Sequence, residues 1–278
     1  MPNPTAQKIF RFAPSPNGYL HLGHAYSALV NFEAARASGG QFLLRIEDID
    51  TARSRPEFEA AIFEDLAWLG LDWQKPVLRQ STRTAAYRAA LAQLQAQNLL
   101  YPCFCTRRTL AQNTVHLDPD GAAVYAGRCK HLPKAEQVRR MSFEAHALRL
   151  DMTRASQSRL IWQDGAQTIP ATPEIWGDII LARKDIGTSY HLAVILDDAA
   201  QGVTDVVRGQ DLFASTHIHR LLQHLLGLPT PRYQHHALLR DAEGEKLAKS
   251  RTSKPLHLWR EEGASPGDVR KMIGLTER

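Results

Sequence analysis

The sequence predicts an α/β protein with a parallel sheet, from the order of its first elements. Residues 8–12 form a short apolar strand that runs into the breaker sequence 13–18, a helical segment covers 22–37, and a second strand covers 42–46. Strand, turn, helix and strand in this order make the βαβ unit of a parallel sheet, which binds ligands at the carboxyl ends of its strands.

Two further amphipathic helices follow, and we interpret both as scaffold. Their apolar residues recur at helical spacing. These residues are Phe58, Ile62, Leu66 and Leu69 in the first helix and Tyr87, Ala90, Leu91 and Leu94 in the second.

The pattern changes over residues 99–183, where cysteines, scattered proline and glycine, and basic residues replace periodic helices. We interpret this stretch as an insertion. Sheet character resumes at 192–196, followed by a strand over 203–208 and a helix over 212–226. The sequence Leu-Pro-Thr-Pro then opens a small, mostly helical C-terminal domain.

The domain prediction follows from these boundaries. A length of 278 residues suits one large or two modest domains. One α/β domain is expected in two parts, residues 1–98 and 184–226; the insertion occupies 99–183, and the C-terminal domain occupies 227–278.

Composition excludes several classes of protein. The chain is 44% hydrophobic and 23% charged, which excludes a disordered, collagenous or coiled-coil protein. No uninterrupted apolar run exceeds five residues, whereas a helix that crosses a bilayer needs about 20. The first ten residues lack the apolar core of a signal peptide. We therefore expect a soluble cytoplasmic protein.

The net charge of +5 and the pI of about 9.2 suit a polyanionic partner. A solvated surface explains each basic cluster by itself, whereas two clusters on either side of an anion site fit a long ligand such as RNA. The clusters are Arg107, Arg108, Arg128, Lys130, Arg139 and Arg140 in the middle and Lys246, Lys249, Arg251 and Lys254 near the end.

The motif His21-Leu22-Gly23-His24 lies where the turn after the first strand passes into the helix. A helix start offers unpaired N–H groups and positive partial charge to phosphates. The two histidines add donors for phosphate oxygens, and Gly23 lets a flat adenine approach the backbone. Histidine pairs at helix starts also occur without a catalytic role, so the motif gains its meaning from its place after the first strand.

A second motif, Lys246-Leu-Ala-Lys249-Ser, lies in a polar stretch near the end of the chain. Two lysines three residues apart can supply mobile positive charge where pyrophosphate leaves a nucleoside triphosphate. Taken alone, this is an ordinary solvated lysine run. Combined with the histidine motif at the other end of the chain, it predicts a nucleotide site.

Together the two motifs resemble the two signatures of class I aminoacyl-tRNA synthetases. The segments that start at Arg11 (RFAPSPNG), Leu44 (LRIEDID) and Gly202 (GVTDVVRGQD) are similar to the glutamyl branch of that class. The resemblance runs from about residue 8 to residue 255. It implies a Rossmann-like catalytic domain with a zinc-bearing insertion, and a ligase that activates L-glutamate with ATP and Mg²⁺ to give glutamyl-adenylate.

Only 28 residues follow Ser250. This brevity is similar to a truncated branch of the family that has no anticodon-binding domain, activates glutamate without tRNA and attaches it to the queuosine base of tRNA(Asp). From this resemblance we expect a monomer whose partners are tRNA(Asp) bearing queuosine, L-glutamate and ATP. Two alternatives stay open: a truncated or discriminating glutamyl-tRNA synthetase that charges the 3′ end of a tRNA, and a non-catalytic tRNA-binding protein.

The resemblance also assigns the residues of the site. A glutamate pocket needs cations for the carboxylates and a carboxylate for the ammonium, and these are expected to be Arg11 and Glu47. From the residues alone, a pairing of Arg11 with Glu47 or with surface groups is the simpler interpretation. Glutamate is further expected at Ser15, Tyr190 and Arg208; ATP is expected at His21, Gly23, His24 and Lys249; and charge stabilisation in catalysis is expected from His21, His24, Lys246 and Lys249.

The three cysteines are too few, and odd in number, for a disulfide framework, and their spacing favours a metal. They are Cys103, Cys105 and Cys129. A structural zinc takes four ligands, and the resemblance supplies Tyr125 as the fourth. His116 and His131 are ordinary zinc ligands nearby and stay open as alternatives, as do three buried cysteines without a metal.

Some positions depart from the family pattern. Ile218 and His219 stand where an arginine–glutamine pair is expected, and Ala248 interrupts the lysine motif. These changes leave the packing and the nucleotide contacts there open. We interpret the remaining histidines of this region as surface or core-edge groups; they are His217, His219, His235 and His236.

Overall fold

The computed structural model describes residues 7–106, 108–109, 116–239 and 254–275. The chain divides into two compact units. The first unit takes in Met1–Thr82, Gly202–Leu212 and Pro231–Arg278, and the second takes in Arg83–Gln201 and Phe213–Thr230.

Strands and helices are mixed along the chain. The strands are β1 (Ile9–Phe12), β2 (Gln41–Ile46), β3 (Gln74–Arg79), β4 (Leu100–Cys103), β5 (Ala147–Leu150), β6 (Ile161–Asp164), β7 (Gln167–Pro170), β8 (Ile180–Ala182), β9 (Asp205–Gly209) and β10 (Arg232–His236). The helices with described bounds are α1 (Leu22–Ala37), α2 (Pro56–Trp68), α3 (Thr84–Ala96), α4 (Lys134–Met141), α5 (Met152–Ala155), α6 (Tyr190–Ala200), α7 (Ser215–Leu226), α8 (Leu256–Glu261) and α9 (Pro266–Met272). Among the described residues, none of these helices is long and apolar enough to span a membrane.

The first unit contains the predicted parallel sheet. β1 pairs with β2 in parallel, and β2 pairs with β3 in parallel. α1 connects the first two strands, so the βαβ unit expected from the sequence is confirmed. The interior is apolar because β1, β2, α1 and α2 bury Leu, Ile or Phe side chains in one cluster.

A second parallel pair, β9 with β10, belongs to a separate sheet. The backbone N–H of Ile9 donates to the Thr204 hydroxyl at 2.9 Å, and the Thr204 N–H donates to the Ile9 carbonyl at 3.0 Å. β1 packs along β9 from this contact onward. Arg11 and Arg208 both lie toward the carboxyl ends of these neighbouring strands.

Asn31 of α1 joins this helix to β9. Its side chain is fully buried, and its amide nitrogen donates to the carbonyls of Ser27 at 2.8 Å and Val207 at 3.0 Å. A buried amide that binds two carbonyls on different elements fixes their spacing, since moving either element leaves the donor without its partner.

The C-terminal segment is part of the first unit. Leu256, Val269 and Ile273 are buried in the same apolar cluster as the strands of the parallel sheet. The Leu256 N–H donates to the Leu20 carbonyl at 2.7 Å. A separate C-terminal domain is therefore not confirmed.

Asp65 of α2 is a buried carboxyl that faces α8. Its closest charged partner is Arg260, with 3.5 Å between Oδ1 and Nη1. Burial raises the pKa of Asp65 to about 6, although Arg260 and His257 lower it. The folded protein thus binds a proton on Asp65 at a higher pH than the unfolded chain does.

This difference predicts a pH effect on stability. Between pH 4 and pH 7, the free energy of unfolding is expected to fall by about 2 to 3 kcal/mol through Asp65 alone, because the buried carboxyl must ionise as the pH passes 6. Asp65→Asn removes this contribution. In urea unfolding, the free energy of unfolding of the variant should therefore rise relative to that of the wild type by about 2 to 3 kcal/mol from pH 4 to pH 7. Glu64→Gln, at the exposed neighbour of Asp65, is the control; parallel pH curves for wild type and Asp65→Asn would contradict the assignment.

The second unit combines an antiparallel sheet with packed helices. β4 pairs with β5, β5 pairs with β8, and β6 and β7 form a hairpin, all antiparallel. The sheet of β4, β5 and β8 lies within the predicted insertion, which is more regular than its sequence indicates. α3, α6 and α7 belong to the same compact unit. The units are therefore divided at other residues than the predicted domains, and the domain assignment stays a prediction.

The predicted sheet character over 192–196 is wrong. These residues lie inside α6, and Leu192 through Ile195 are all buried. A short apolar run that is covered on every side has neither helical nor strand periodicity, so its conformation is ambiguous from sequence.

Candidate active site and metal centre

The histidine motif forms the start of α1. His21 is the N-cap residue with extended backbone, and its Nδ1 accepts from the Gly23 N–H at 3.1 Å. His24 Nδ1 accepts in turn from the His21 N–H at 3.2 Å. The two rings lie 3.8 Å apart between centroids. This reciprocal capping box satisfies two helix N–H groups with imidazoles.

The same contacts define the proton positions on both rings. Burial lowers the pKa of His21, and burial together with the neighbouring His21 lowers the pKa of His24 to about 3. Both rings are therefore neutral near pH 7. Since Nδ1 of each ring accepts a hydrogen bond, each ring carries its proton on Nε2 and offers that N–H to a ligand.

Glu47 follows β2 and lies against a buried arginine. Arg45 is fully buried, and its Nη2 lies 3.1 Å from Glu47 Oε1. The Glu47 N–H donates to the Pro14 carbonyl at 3.0 Å, which ties the end of β2 to the loop after β1. Sequence reasoning considered a pairing of Glu47 with Arg11 and missed Arg45; the alternation of a strand, which puts 45 and 47 on one face, could have indicated it.

Arg11 and Arg208 are buried cations near the carboxyl ends of β1 and β9; each is 5% exposed. Arg208 Nε donates to His235 Nε2 at 3.2 Å, and Nη2 donates to the Leu212 carbonyl at 3.1 Å. His235 stands opposite Arg208 in the register of β10 with β9. Charged groups that are kept out of water at the end of a parallel sheet are suited to bind an oppositely charged ligand.

The other predicted site residues lie in different places. Ser15 is exposed in the loop between β1 and α1. Tyr190 is the first residue of α6 in the second unit, half-buried. Lys246 and Lys249 lie outside the described residues, as does Ala248.

The described residues on both sides of the lysine motif contact the first unit near α1. Before the motif, the His236 ring meets Tyr26 of α1 edge-on, with 4.9 Å between centroids. After it, Pro255 forms a bridge with His21. Described residues before and after 240–253 therefore contact α1 or its N-cap residue.

Two of the positions that depart from the family pattern, Ile218 and His219, are buried. His219 is 1% exposed, and its Nε2 lies 3.3 Å from His191 Nδ1. His217 Nδ1 accepts from the Thr172 N–H at 3.0 Å. Both histidines are thus core groups of the second unit rather than surface groups.

The three cysteines come together in the second unit. Their Sγ atoms all lie within 4.8 Å of one another, and 3.6 Å separates the sulfurs of Cys105 and Cys129. The Tyr125 hydroxyl lies 3.7 Å from Cys105 Sγ and accepts from the Cys129 N–H at 2.6 Å. Among the described residues, neither His116 nor His131 belongs to this cluster.

Burial and Arg149 shift the pKa values of the cluster in different directions. Burial raises the pKa of Cys105 to about 11 and also raises that of Tyr125. Burial opposes ionisation of Cys103 as well, but Arg149 outweighs it and lowers the pKa of that thiol. Three sulfurs and a phenol oxygen at these distances are a donor set for one metal ion, which would displace the protons.

Comparison with known protein families identifies the class. The family described as tRNA synthetases class I (E and Q), catalytic domain, matches residues 9–276. The chain belongs to this family, and its α/β fold with a parallel sheet is the fold of the class. Enzymes of this class are ligases, so the predicted enzyme class is confirmed.

Within the class, two similar proteins carry the same name. The glutamyl-Q tRNA(Asp) synthetase of Rhodobacter capsulatus is 48% identical over 284 residues, which cover 96% of this chain and 100% of that protein. The protein of the same name from Symbiobacterium thermophilum is 42% identical over 96% of this chain and 87% of its own length. The resemblance stated from the sequence is confirmed.

A crystal structure of the glutamate-tRNA synthetase of Elizabethkingia anophelis has the same fold. It matches with a TM-score of 0.81 at 27% identity, over 97% of this chain and 61% of that chain. This chain thus spans about three fifths of the length of that synthetase.

Proposed function

We propose that this chain activates L-glutamate with ATP, without tRNA, and transfers it to the queuosine base of tRNA(Asp). The observation that carries the proposal is the identity of 48% with a glutamyl-Q tRNA(Asp) synthetase over that protein's whole length. The buried charges Arg11, Glu47 and Arg208 of the first unit support it, because they supply both signs that glutamate requires.

ATP is assigned to the start of α1. The Nε2–H groups of His21 and His24 donate to phosphate oxygens. Because both rings are neutral, they bind the ground state of ATP less tightly than two cations would, which leaves stabilisation for the transition state. Lys246 and Lys249 neutralise the departing pyrophosphate. The contacts of His236 with Tyr26 and of Pro255 with His21, on either side of the lysine motif, support this assignment. Mg²⁺ accompanies ATP as part of the substrate.

Gly23 is needed for this arrangement. A Cβ at position 23 would lie 2.9 Å from His21 Cε1 and 3.1 Å from Nδ1. Gly23→Ala is therefore expected to displace the His21 ring and lower glutamate-dependent pyrophosphate exchange at least tenfold. The free energy of unfolding of Gly23→Ala should change little. The loss of the cap costs about 1 kcal/mol, and the higher helix propensity of alanine contributes about 1 kcal/mol in return.

Gly18→Ala is the matched control for this variant. A Cβ at Gly18 meets no atom within 4 Å, so its exchange rate should equal that of the wild type. An unchanged rate in Gly23→Ala would contradict the role of the His21 ring.

Glutamate is assigned to the ends of β1, β2 and β9. Arg11 binds the side-chain carboxylate, Glu47 binds the ammonium, and Arg208 adds a second cation. Ser15 completes the hydrogen bonding within the first unit, and a role of Tyr190 of the second unit stays a prediction. An oxygen of the α-carboxylate of glutamate attacks the α-phosphorus of ATP, and the bond between that phosphorus and pyrophosphate breaks. In the second step, a hydroxyl of the cyclopentene ring of queuosine attacks the glutamyl carbonyl, loses its proton and releases AMP.

Zinc is assigned to the cysteine cluster. Cys103, Cys105, Cys129 and Tyr125 would hold it, and thiolate-rich, four-coordinate sites are typical of structural zinc. The metal would supply folding energy to the second unit and no chemistry to the reaction.

Labelled glutamate and purified tRNA(Asp) test the proposal. We expect ATP–pyrophosphate exchange without tRNA, and labelling of tRNA(Asp) that contains queuosine but not of the transcript that lacks it. Removing the terminal adenosine of the tRNA should leave the labelling unchanged. Labelling that is lost with the terminal adenosine would instead support a glutamyl-tRNA synthetase, the function named for the Elizabethkingia structure. If the chain shows no exchange under any condition, the alternative of a non-catalytic tRNA-binding protein is supported.

A further inference from the structure

Arg45 is a fully buried cation in the middle strand of the first sheet. β2 lies between β1 and β3, and Arg45 stands opposite Leu78 in the register with β3. Its side chain has no exposure to solvent, whereas that of Glu47 is 8% exposed. The guanidinium thus lies beneath the carboxylate, on the same face of the strand and farther from water.

Glu47 is held from two sides. Its backbone N–H is bound to the Pro14 carbonyl at 3.0 Å, and one carboxylate oxygen is bound to Arg45 Nη2 at 3.1 Å. A carboxylate that is buried without a cation takes up a proton more readily and can leave its rotamer. The arginine opposes both changes because it stabilises the ionised form and fixes one oxygen.

We propose that Arg45 is a positioning residue. It holds Glu47, and Glu47 binds the ammonium of the substrate. This inference rests on the proposed function, since Glu47 is the group assigned to the ammonium there. Arg45 would thereby set the preference of the site for an α-amino acid over a plain dicarboxylic acid. Its contribution is absent for a ligand that has the two carboxylates of glutamate and no amino group.

Glutarate is such a ligand. It separates an effect of Arg45 on ammonium binding from an effect on carboxylate binding. It keeps both carboxylates for Arg11 and Arg208 but has no ammonium for Glu47. Glutarate is therefore expected to inhibit glutamate-dependent exchange by competition, with an inhibition constant that does not depend on Arg45.

The test measures exchange kinetics of Arg45→Met, a substitution of similar volume without charge. The KM for glutamate is expected to rise about 10- to 100-fold, the range expected for losing a hydrogen bond to a charged group. The KM for ATP and the inhibition constant of glutarate should stay within about threefold of the wild type, as for a substitution without effect on those contacts. Arg45→Lys keeps the charge and should recover part of the affinity for glutamate.

Two controls accompany this variant. Arg79→Met removes an arginine of the neighbouring strand that is paired with Glu59, and it should leave the KM for glutamate unchanged. In a Glu47→Gln background, Arg45→Met should add little to the KM, because the two residues act through one contact.

Several results would overturn the inference. One is an unchanged KM for glutamate in Arg45→Met, and another is an equal rise in the glutarate inhibition constant, which indicates general damage to the pocket. If Arg45→Met does not fold, Arg45→Lys decides: a selective rise in the KM for glutamate supports the inference, and any other result overturns it. Absence of glutamate-dependent exchange in the wild type would instead contradict the proposed function.

Discussion

His24→Ala is expected to lower the rate of glutamate-dependent pyrophosphate exchange by about 10²- to 10³-fold, the usual effect of losing one preorganised donor in a transition state. His24 Nδ1 is occupied by the His21 N–H at 3.2 Å, so Nε2 remains as the donor to phosphate. The pKa of His24 near 3, lowered by burial and by His21, keeps the ring neutral. Its titration should therefore leave no inflection in the exchange rate between pH 5 and pH 9.

Two isosteric variants separate the capping role of His24 from its role as a donor. Asparagine places an oxygen near the position of Nδ1, so His24→Asn should keep the cap and lose the donor. Glutamine places an amide nitrogen near the position of Nε2, so His24→Gln should recover part of the rate. If His24→Asn were as active as the wild type, the histidine would serve the helix and not the reaction.

Cys129→Ser is expected to abolish stoichiometric metal binding and to destabilise the second unit strongly. Cys129 Sγ accepts from the Phe104 N–H at 3.4 Å and lies 3.6 Å from Cys105 Sγ, so one thiol joins two segments of the chain. Structural zinc contributes on the order of 10 kcal/mol in small zinc modules, far more than a buried thiol contributes by packing. Zinc content after dialysis and thermal unfolding with and without chelator would measure the effect.

The fourth ligand can be identified with two variants. Tyr125→Phe keeps the ring beneath Arg149, with 4.0 Å between the guanidinium carbon and the ring centroid, and removes only the hydroxyl. It should weaken zinc binding, whereas His131→Ala should not. The opposite pattern would identify His131 as the fourth ligand. Wild-type protein that binds no zinc, and whose thermal unfolding does not change with chelator, would support three buried cysteines without a metal.

The elements with clear periodicity were predictable from sequence. The bounds of α1 agree with the prediction, because glycines and a histidine cap delimit the helix on both sides. β10 was not predicted, since its sequence Arg-Tyr-Gln-His-His is polar and only the register with β9 makes it a strand. The C-terminal helices read as a separate domain because two or three buried apolar residues in a short segment do not reveal which core they join.

The candidate site was predictable to the extent that motifs encode it. The cysteines were expected to meet and do so, since two of them are one residue apart. Arg45 was missed because a motif match directs attention to the residues that contact a ligand, not to the charge buried beneath them. The placement of His219 beside His191 was equally invisible, since contacts between helices distant in sequence have no local signal.

Asn31 links two elements of the first unit to which different substrates are assigned. One buried amide holds α1, which begins with the histidine motif, to the carbonyl of Val207, the residue before Arg208. If α1 holds the triphosphate and Arg208 holds the amino acid, the angle at which the two reactants meet is set by a side chain that touches neither. A synthetase of this design aligns its substrates through its framework, so misalignment can arise from a substitution well away from both ligands.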